Sequence, residues 1–144
     1  MEAIQAILEA DAAIMALLTG GVYTYADTGE NAIGRESTPE AFDAVTLALL
    51  PCLFITARGL YPSGGLGDAA VRSIRQVAEL YFYAMGASGA IEAAAARARQ
   101  LLDSQVADER HLSWIGDPFG ARFDERLLGG CFLLKSEYET IGFT

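Results

Sequence analysis

The sequence predicts an α+β fold: a single mostly antiparallel sheet, two helices packed on one of its faces, and long mobile loops. Apolar residues recur at spacings of three and four near the N-terminus and again in an alanine-rich stretch, as in helices. Stretches with the two-residue alternation of strands lie between and after these helices, and Gly-rich segments separate them. Helices separated by runs of strands favour an α+β arrangement over a parallel α/β one.

Length and hydropathy predict one globular domain over residues 1–144. The chain has 144 residues, of which 52% are hydrophobic, so it is too apolar to be disordered. No apolar run reaches the 18 or so residues that a membrane span requires. Acidic residues interrupt the apolar N-terminus and no basic region precedes it, which argues against a signal peptide. We therefore expect the protein to be made and kept in the cytoplasm.

The charge balance excludes one class of partner. Ten basic against 19 acidic residues give a net charge of −9. Such a field repels a phosphate backbone, so we expect no sequence-specific binding of nucleic acid. The charge favours solubility, which an apolar chain with assembly surfaces needs.

The N-terminal stretch predicts a helix over residues 2–18, in which Asp11 is a candidate cap for a second, shorter helix. Gly20 and Gly21 end it, since glycine commonly follows a helix. Val22–Tyr25 then reads as a short extended piece. The first helical element therefore leads directly into a strand.

The segment ADTGENAIGRESTPEAFDA leaves two interpretations open. Its Gly, Asp, Thr and Pro content is typical of a long functional or mobile loop. Alternatively, Thr38 caps a helix with Pro39 at its first position, running to Leu49. Pro51 ends any such helix.

Strand patterns follow on both sides of a second Gly-rich segment. Cys52–Arg58 is a strand by composition, and Gly59–Asp68 reads as a flexible loop. Val71–Met85 is the longest strand candidate, with one apolar face and one mixed charged and aromatic face. We expect residues 26–40 and 59–70 to be the least protected parts of the free chain.

The C-terminal half predicts one helix followed by strands. Ser88 is a candidate cap for the helix Ile91–Asp103, whose alanines allow close approach to the sheet. His111–Gly116 reads as a short strand. Gly129 and Gly130 indicate a hairpin into the terminal strand.

The terminal strand alternates between an apolar face and a face that becomes charged and carries the only lysine. The charged half is either a solvated face that discourages edge pairing or a subunit boundary fixed by charge complementarity. We expect Lys135→Glu to leave the fold intact but impair assembly, and Leu134→Ala to cost about 2–5 kcal/mol of stability. The candidate subunit-interface residues are Lys135, Glu137, Glu139, Arg75 and Glu79.

Signatures of chemistry are sparse. His111 is the only histidine, which excludes a metal site built on two histidines, and no G-x-S-x-G motif is present. Cys52 and Cys131 lie in apolar strand-like runs and are expected to be buried small hydrophobes. We predict no catalytic, cofactor-binding or metal-binding residues.

Two further patterns are weak candidates for binding. Gly64–Gly67 is Gly-rich but has no lysine and opens no helix, unlike a phosphate-binding loop. The acidic pairs Asp108-Glu109 and Asp124-Glu125 are expected to be solvated turns.

The order of these elements resembles the tail terminator (tail completion) and neck proteins of long-tailed bacteriophages, over most of the chain. The loop before the first central strand is longer than in the smaller members of that family. The segments that carry the resemblance are ILEADAAIMALLTGGVY, ADTGENAIGRESTPEAFDA, LPCLFITAR, RQVAELYFYA, AIEAAAARARQLLD and the closing strand.

The resemblance implies a structural virion protein, not an enzyme, with no cofactor. Such a subunit forms a homohexameric ring that caps the tail tube protein and docks onto the head connector or stopper, with DNA passing through the lumen. It would be assembled in the host cytoplasm and reside in the neck of the virion. Two alternatives stay open: another neck protein, such as a connector adaptor or stopper, or a small ligand-binding or enzymatic α+β domain.

Overall fold

The computed structural model describes residues 1–65 and 72–143, and within them the chain is α+β as predicted. Six strands form one sheet in the order β1-β2-β3-β6-β5-β4. All neighbours are antiparallel except β1 and β2, which are parallel. The helices are α1 (Glu2–Glu9), α2 (Ala12–Leu17), α3 (Tyr25–Thr28) and α4 (Gly89–Leu102), and the strands are β1 (Val22–Thr24), β2 (Cys52–Gly65), β3 (Arg72–Ala84), β4 (Val106–Ala107), β5 (Arg110–Asp124) and β6 (Cys131–Phe143).

Asp11 splits the first predicted helix into α1 and α2, which confirms its expected role as a cap. One carboxylate oxygen, Oδ2, accepts the backbone N–H of Ile14 at 2.9 Å. The same carboxylate binds Arg97 of α4 through both of its oxygens, at 3.0 and 2.7 Å. The break between the helices is therefore fixed to α4 by a bidentate ion pair.

The Asp11 carboxylate is expected to make stability depend on pH in acid. Hydrogen bonds from Arg97, and then from the Ile14 N–H, lower the pKa of Asp11 to about 2. An unfolded aspartate titrates near 3.9, so the stabilisation is complete above about pH 4 and is lost as the pH falls through about 2. In urea denaturation from pH 2 to 7, the stability difference between wild type and Asp11→Asn should therefore shrink towards pH 2. Glu36→Gln, at an exposed position, controls for net charge, and a pH-independent difference for Asp11→Asn would contradict the assignment.

Three helices, not the predicted two, pack on one face of the sheet, because Asp11 divides the first. In α4, the fully buried Ala94 and Ala98 let the helix approach the strands closely. None of the described helices is long and apolar enough to cross a membrane. The fully buried core residues on this face include Leu8, Ile14, Leu53, Ile55, Leu80, Phe82, Ile91, Leu102, Leu112 and Tyr138.

A second, smaller cluster lies on the opposite face, under the segment that precedes β2. Ile33, Phe42 and Leu49 of this segment pack against the start of β2 and β6. Cys52 and Cys131 are free thiols buried in this cluster, as predicted. Burial raises the pKa of Cys52 to about 12 and that of Cys131 to about 11, so both stay protonated at neutral pH.

Residues 38–50 are not a helix beyond the single 3₁₀ turn Pro39–Ala41. The Asp43 carboxylate accepts the N–H groups of Val45 and Thr46, which a helix would direct to backbone carbonyls. Phe42 then pairs with Leu49 in a short antiparallel bridge, and both side chains enter the second cluster. The hydrogen bonds to the Asp43 carboxylate and the burial of Phe42 and Leu49 therefore favour the loop interpretation of this segment over the helix.

The prediction of a flexible loop over Gly59–Asp68 is wrong for residues 59–65, because β2 continues to Gly65. Its glycines and proline are accommodated where the register with β3 shifts, between Arg58 and Tyr61 and between Pro62 and Gly65. Such residues are tolerated at bulges and in a strand with a neighbour on one side only. The rest of the predicted loop, residues 66–68, lies outside the described residues.

The predicted hairpin is confirmed, but its first strand is longer than expected. β5 runs from Arg110 to Asp124 and pairs with β6 through three register shifts. Gly116 lies at two of these shifts, where a glycine with φ of 148° satisfies the irregular backbone. The predicted short strand His111–Gly116 is therefore the first part of a 15-residue strand.

Candidate functional site

All five candidate interface residues come together on the helix-free face of the sheet, beyond the second cluster. Two of them, Arg75 and Glu79, lie on β3, and the other three lie on β6, which pairs with β3. A sixth charged residue, Arg58 of β2, joins them through an ion pair with Glu137. We call this set the charged face: Arg58, Arg75, Glu79, Lys135, Glu137 and Glu139.

Lys135 holds the centre of the charged face. Glu79 and Glu137 lie directly opposite each other on β3 and β6, an arrangement that is repulsive by itself. The Lys135 ammonium forms ion pairs with both, with Nζ 3.2 Å from Oε1 of Glu137. The Tyr81 hydroxyl donates to Glu79 at 3.0 Å, and Arg58 lies 3.3 Å from Oε2 of Glu137. The centre is a continuous chain of charge-assisted contacts.

Exposure divides the charged face into a mostly buried centre and an exposed margin. The side chains of Lys135, Glu79 and Glu137 are only 14%, 9% and 12% exposed. Arg58 is 53% exposed, and Arg75, paired with Glu139, is 49% exposed. The expectation that Lys135 is an exposed strand charge is therefore wrong. Its alkyl chain lies among cross-strand neighbours, and its ammonium lies 5.3 Å from the ring centre of Tyr81.

The electrostatics of the centre fix its protonation state. Burial lowers the pKa of Lys135, but its hydrogen bonds with Glu79 and Glu137 raise it by more, so the net shift is upward. Burial, followed by the hydrogen bond with Glu79, raises the pKa of Tyr81. Both groups therefore stay protonated at neutral pH. The network is suited to holding strands in register and not to proton transfer.

The acidic pairs and the single histidine, considered above as weak candidates for binding or catalysis, lie in turns and in a strand. Asp108 and Glu109 form the two-residue turn between β4 and β5, with φ of 51° and 60°, and are exposed as predicted. The Asp124 carboxylate accepts the N–H of Arg126 in the turn after β5. His111 is an exposed residue of β5. Within the described residues, no group of three or more His, Cys, Asp or Glu could hold a metal ion.

A groove beside α4, which we call the α4 groove, was not predicted from the sequence. It is an open groove of about 660 Å³ between α4 and strands β5 and β6. At its side, the Arg99 guanidinium lies 3.6 Å above the ring centre of Trp114. Asp117 accepts from the Trp114 indole at 3.3 Å and from the Ser136 hydroxyl at 2.6 Å. The lining residues are Glu92, Ala95, Ala96, Arg99, Gln100, Asp103, Asp117 and Leu134.

Tyr138, on the same face of β6 as Ser136, has a buried hydroxyl that finds no hydrogen-bond partner among the described residues. Burial raises its pKa, and the charges of Asp117 and Asp103 raise it further. Both aspartates line the α4 groove. If the protein has a ligand-binding function, this groove is the candidate site for a small molecule. The alternation of β6 predicts that Tyr138 and Ser136 share a face, but the bulges that bring Asp117 over Ser136 have no clear sequence signal.

Tyr138→Phe is expected to leave stability unchanged or raise it by up to about 1 kcal/mol, because it removes an unsatisfied buried hydroxyl without creating a cavity. Tyr23→Phe is the matched control, since the Tyr23 hydroxyl donates to the Gly20 carbonyl at 2.6 Å. Its loss should cost about 0.5–1.5 kcal/mol. Chemical denaturation of both variants tests this, and a cost above 1 kcal/mol for Tyr138→Phe would mean that the hydroxyl has a partner.

Comparison of this chain with models of known protein families and with curated proteins gave no match.

Proposed function

We propose that this chain is a structural subunit of the bacteriophage head–tail neck, which forms a homohexameric ring that terminates the tail tube and joins it to the head connector. The proposal combines the family resemblance of the sequence with the edges of its sheet. It is an assembly function, carried by surfaces and not by a catalytic centre.

The observation that carries the proposal is a sheet with long open edges on opposite sides. β1 pairs with only three of the 14 residues of β2, from Leu53 to Ile55. β4 pairs with only two of the 15 residues of β5, Arg110 and His111. Among the described strands, the outer sides of Thr56–Gly65 and Ile115–Asp124 therefore have no strand partner, whereas Ser104, Gln105 and Asp103 bind the outer backbone groups of Leu112 and Trp114. Unpaired edges are templates for a further chain.

The two open edges belong to different strands, β2 and β5, which favours a ring. Large apolar side chains lie exposed along the β4–β5 edge, at Val106, Ile115 and Phe123. A contact between two different edges is heterologous, and repetition of such a contact gives a closed ring when the rotation closes. The family resemblance implies that the ring has six subunits.

The same edges are protected against premature pairing. β2 contains Pro62 and β5 contains Pro118, which have no N–H to donate, and both strands carry register shifts. Such edges pair poorly without a template. We therefore propose that the isolated protein is monomeric and that the tail tube promotes closure of the ring.

The charged face supports the same assembly at its margin. Its three cations and three carboxylates balance, so the charged face as a whole adds no net repulsion between copies. The half-exposed Arg58 and Arg75 are suited to contacts that set orientation between acidic subunits. The acidic net charge also suits a ring whose lumen passes DNA without binding it.

Electron microscopy of intact particles tests the proposal. The protein is expected as a six-fold ring at the junction of tail tube and head connector. The purified chain mixed with the tube protein encoded alongside it should bind the tube end, by mass and micrograph. A position in the capsid shell or a tail fibre, or failure to bind tubes at any concentration, would reject the assignment.

Two other functions are distinguishable. A connector adaptor or stopper would bind the head connector in the absence of tail tubes. A ligand-binding domain is favoured by the α4 groove and the unsatisfied Tyr138 hydroxyl beside it. It would show saturable binding of a small molecule that Asp117→Asn abolishes.

A further inference from the structure

The α4 groove is elongated and follows one side of α4. Six of its eight lining residues lie on α4 or at its C-cap, at the spacings of three and four that define one helix face, from Glu92 to Asp103. At the rise of an α-helix these positions span about 16 Å. An extended chain covers that length with about five residues. The groove therefore has the length of a short extended segment of polypeptide.

The charges of the α4 groove are not balanced. Its lining carries the carboxylates of Glu92, Asp103 and Asp117 and a single guanidinium, which stacks on Trp114. The ion pairs found among the described side chains involve none of these carboxylates and not Arg99. Asp103 and Asp117 instead accept from the backbone and indole N–H groups of Trp114, which carry no charge. The groove therefore attracts a cation.

An unpaired strand edge begins at the groove. Asp103, which lines the groove, also covers the outer backbone N–H of Trp114. The next residue, Ile115, starts the part of β5 that has no outer strand partner among the described residues. Such an edge presents N–H and C=O groups that an extended polypeptide can pair with, while its side chains enter neighbouring pockets.

The buried Tyr138 hydroxyl adds an unmet polar group next to the α4 groove. The side chain is fully buried, and the hydroxyl finds no partner among the described residues. The charges that act on it are those of Asp117, Asp103 and Arg99, all of which line the groove. Buried polar groups in folded proteins almost always have a partner. A polar occupant of the groove is therefore favoured over an apolar one.

We propose that the α4 groove binds a short extended segment of a partner protein, which places a lysine or arginine side chain against the groove's carboxylates. The length of the groove selects an extended chain, its charge selects the cation, and the edge of β5 supplies backbone partners at one end. This inference goes beyond the proposed ring and does not require it, because the groove belongs to a single subunit.

Trp114 makes binding directly visible, because it is the only tryptophan and lies beside the groove. The purified full-length chain is titrated with the peptide acetyl-Thr-Lys-Thr-Lys-Thr-amide and followed by tryptophan fluorescence and calorimetry. We expect saturable binding that weakens with added salt. The same peptide with glutamine at both lysine positions should bind at least tenfold more weakly. Equal binding of the two peptides, or no binding by either method up to about 1 mM, would overturn the proposal.

Lysine amide distinguishes a polypeptide segment from a small cation. It carries the same ammonium group without the extended backbone, so it should bind at least tenfold more weakly than the peptide. Equal affinities would overturn the proposal in favour of a small-molecule site.

Two matched variants locate the site. Ala96 lines the groove and Ala93 does not, although both are exposed on α4 and lie three residues apart. Ala96→Arg fills the groove with a cation and should weaken peptide binding at least tenfold, whereas Ala93→Arg adds the same charge and should leave binding within twofold. Arginine is a good helix former, so both variants should keep the wild-type circular dichroism and melting temperature. Equal effects would indicate general attraction to an acidic protein and overturn the groove assignment. None of these negative results bears on the ring, which is tested on tail tubes without the peptide.

Discussion

Lys135→Glu is expected to destabilise the fold by about 3–5 kcal/mol, the usual cost of breaking a buried ion pair. The change removes the cation that separates Glu79 from Glu137 and places a third carboxylate between them, where the side chains are 9–14% exposed. Urea or thermal denaturation measures the loss. This reverses the expectation from the sequence, that the variant folds normally and fails only in assembly.

Two variants isolate the electrostatic cause. Glu79→Lys/Lys135→Glu exchanges the partners and should recover more than half of the lost stability. Arg75→Glu reverses a charge at the exposed margin, where Arg75 is 49% exposed, and should cost no more than about 1 kcal/mol. A wild-type denaturation midpoint for Lys135→Glu would show that the centre of the charged face is solvated.

Leu134→Ala is expected to lose about 2–5 kcal/mol of folding stability, through lost burial and the cavity left behind. Leu134 is 5% exposed and packs in the helix-covered core, next to Lys135 in sequence but on the opposite face. It also borders the α4 groove, where neighbours can relax or water can enter, so the lower half of that range is expected. Equilibrium denaturation measures the cost.

Val45→Ala is the control for this substitution. It removes apolar atoms from a side chain that is 90% exposed, so its effect on stability should stay within about 0.5 kcal/mol. Equal costs for the two variants would contradict the placement of Leu134 in the core.

The sequence alone determined the features that depend on local spacing. The periodicity of residues 2–18 and the short polar side chain of Asp11 predicted a helix with a capped break, because the cap needs only an N–H three residues away. The alanine-rich pattern predicted α4, and strict alternation placed Leu134 and Tyr138 on the core face of β6. For the candidate site, it also placed Lys135, Glu137 and Glu139 on one face.

Only the tertiary structure decided the features that depend on residues far apart in the chain. Residues 38–50 avoid a helix because Phe42 and Leu49 are buried together against Cys52 and Cys131. β2 extends past Gly59 because β3 supplies a partner along its length. Lys135 is mostly covered because Glu79 lies on a neighbouring strand 56 positions earlier, and the register that joins them is set by pairing along the whole of β3 and β6. No local pattern encodes that register, so the burial of the charge could not be read from its alternation.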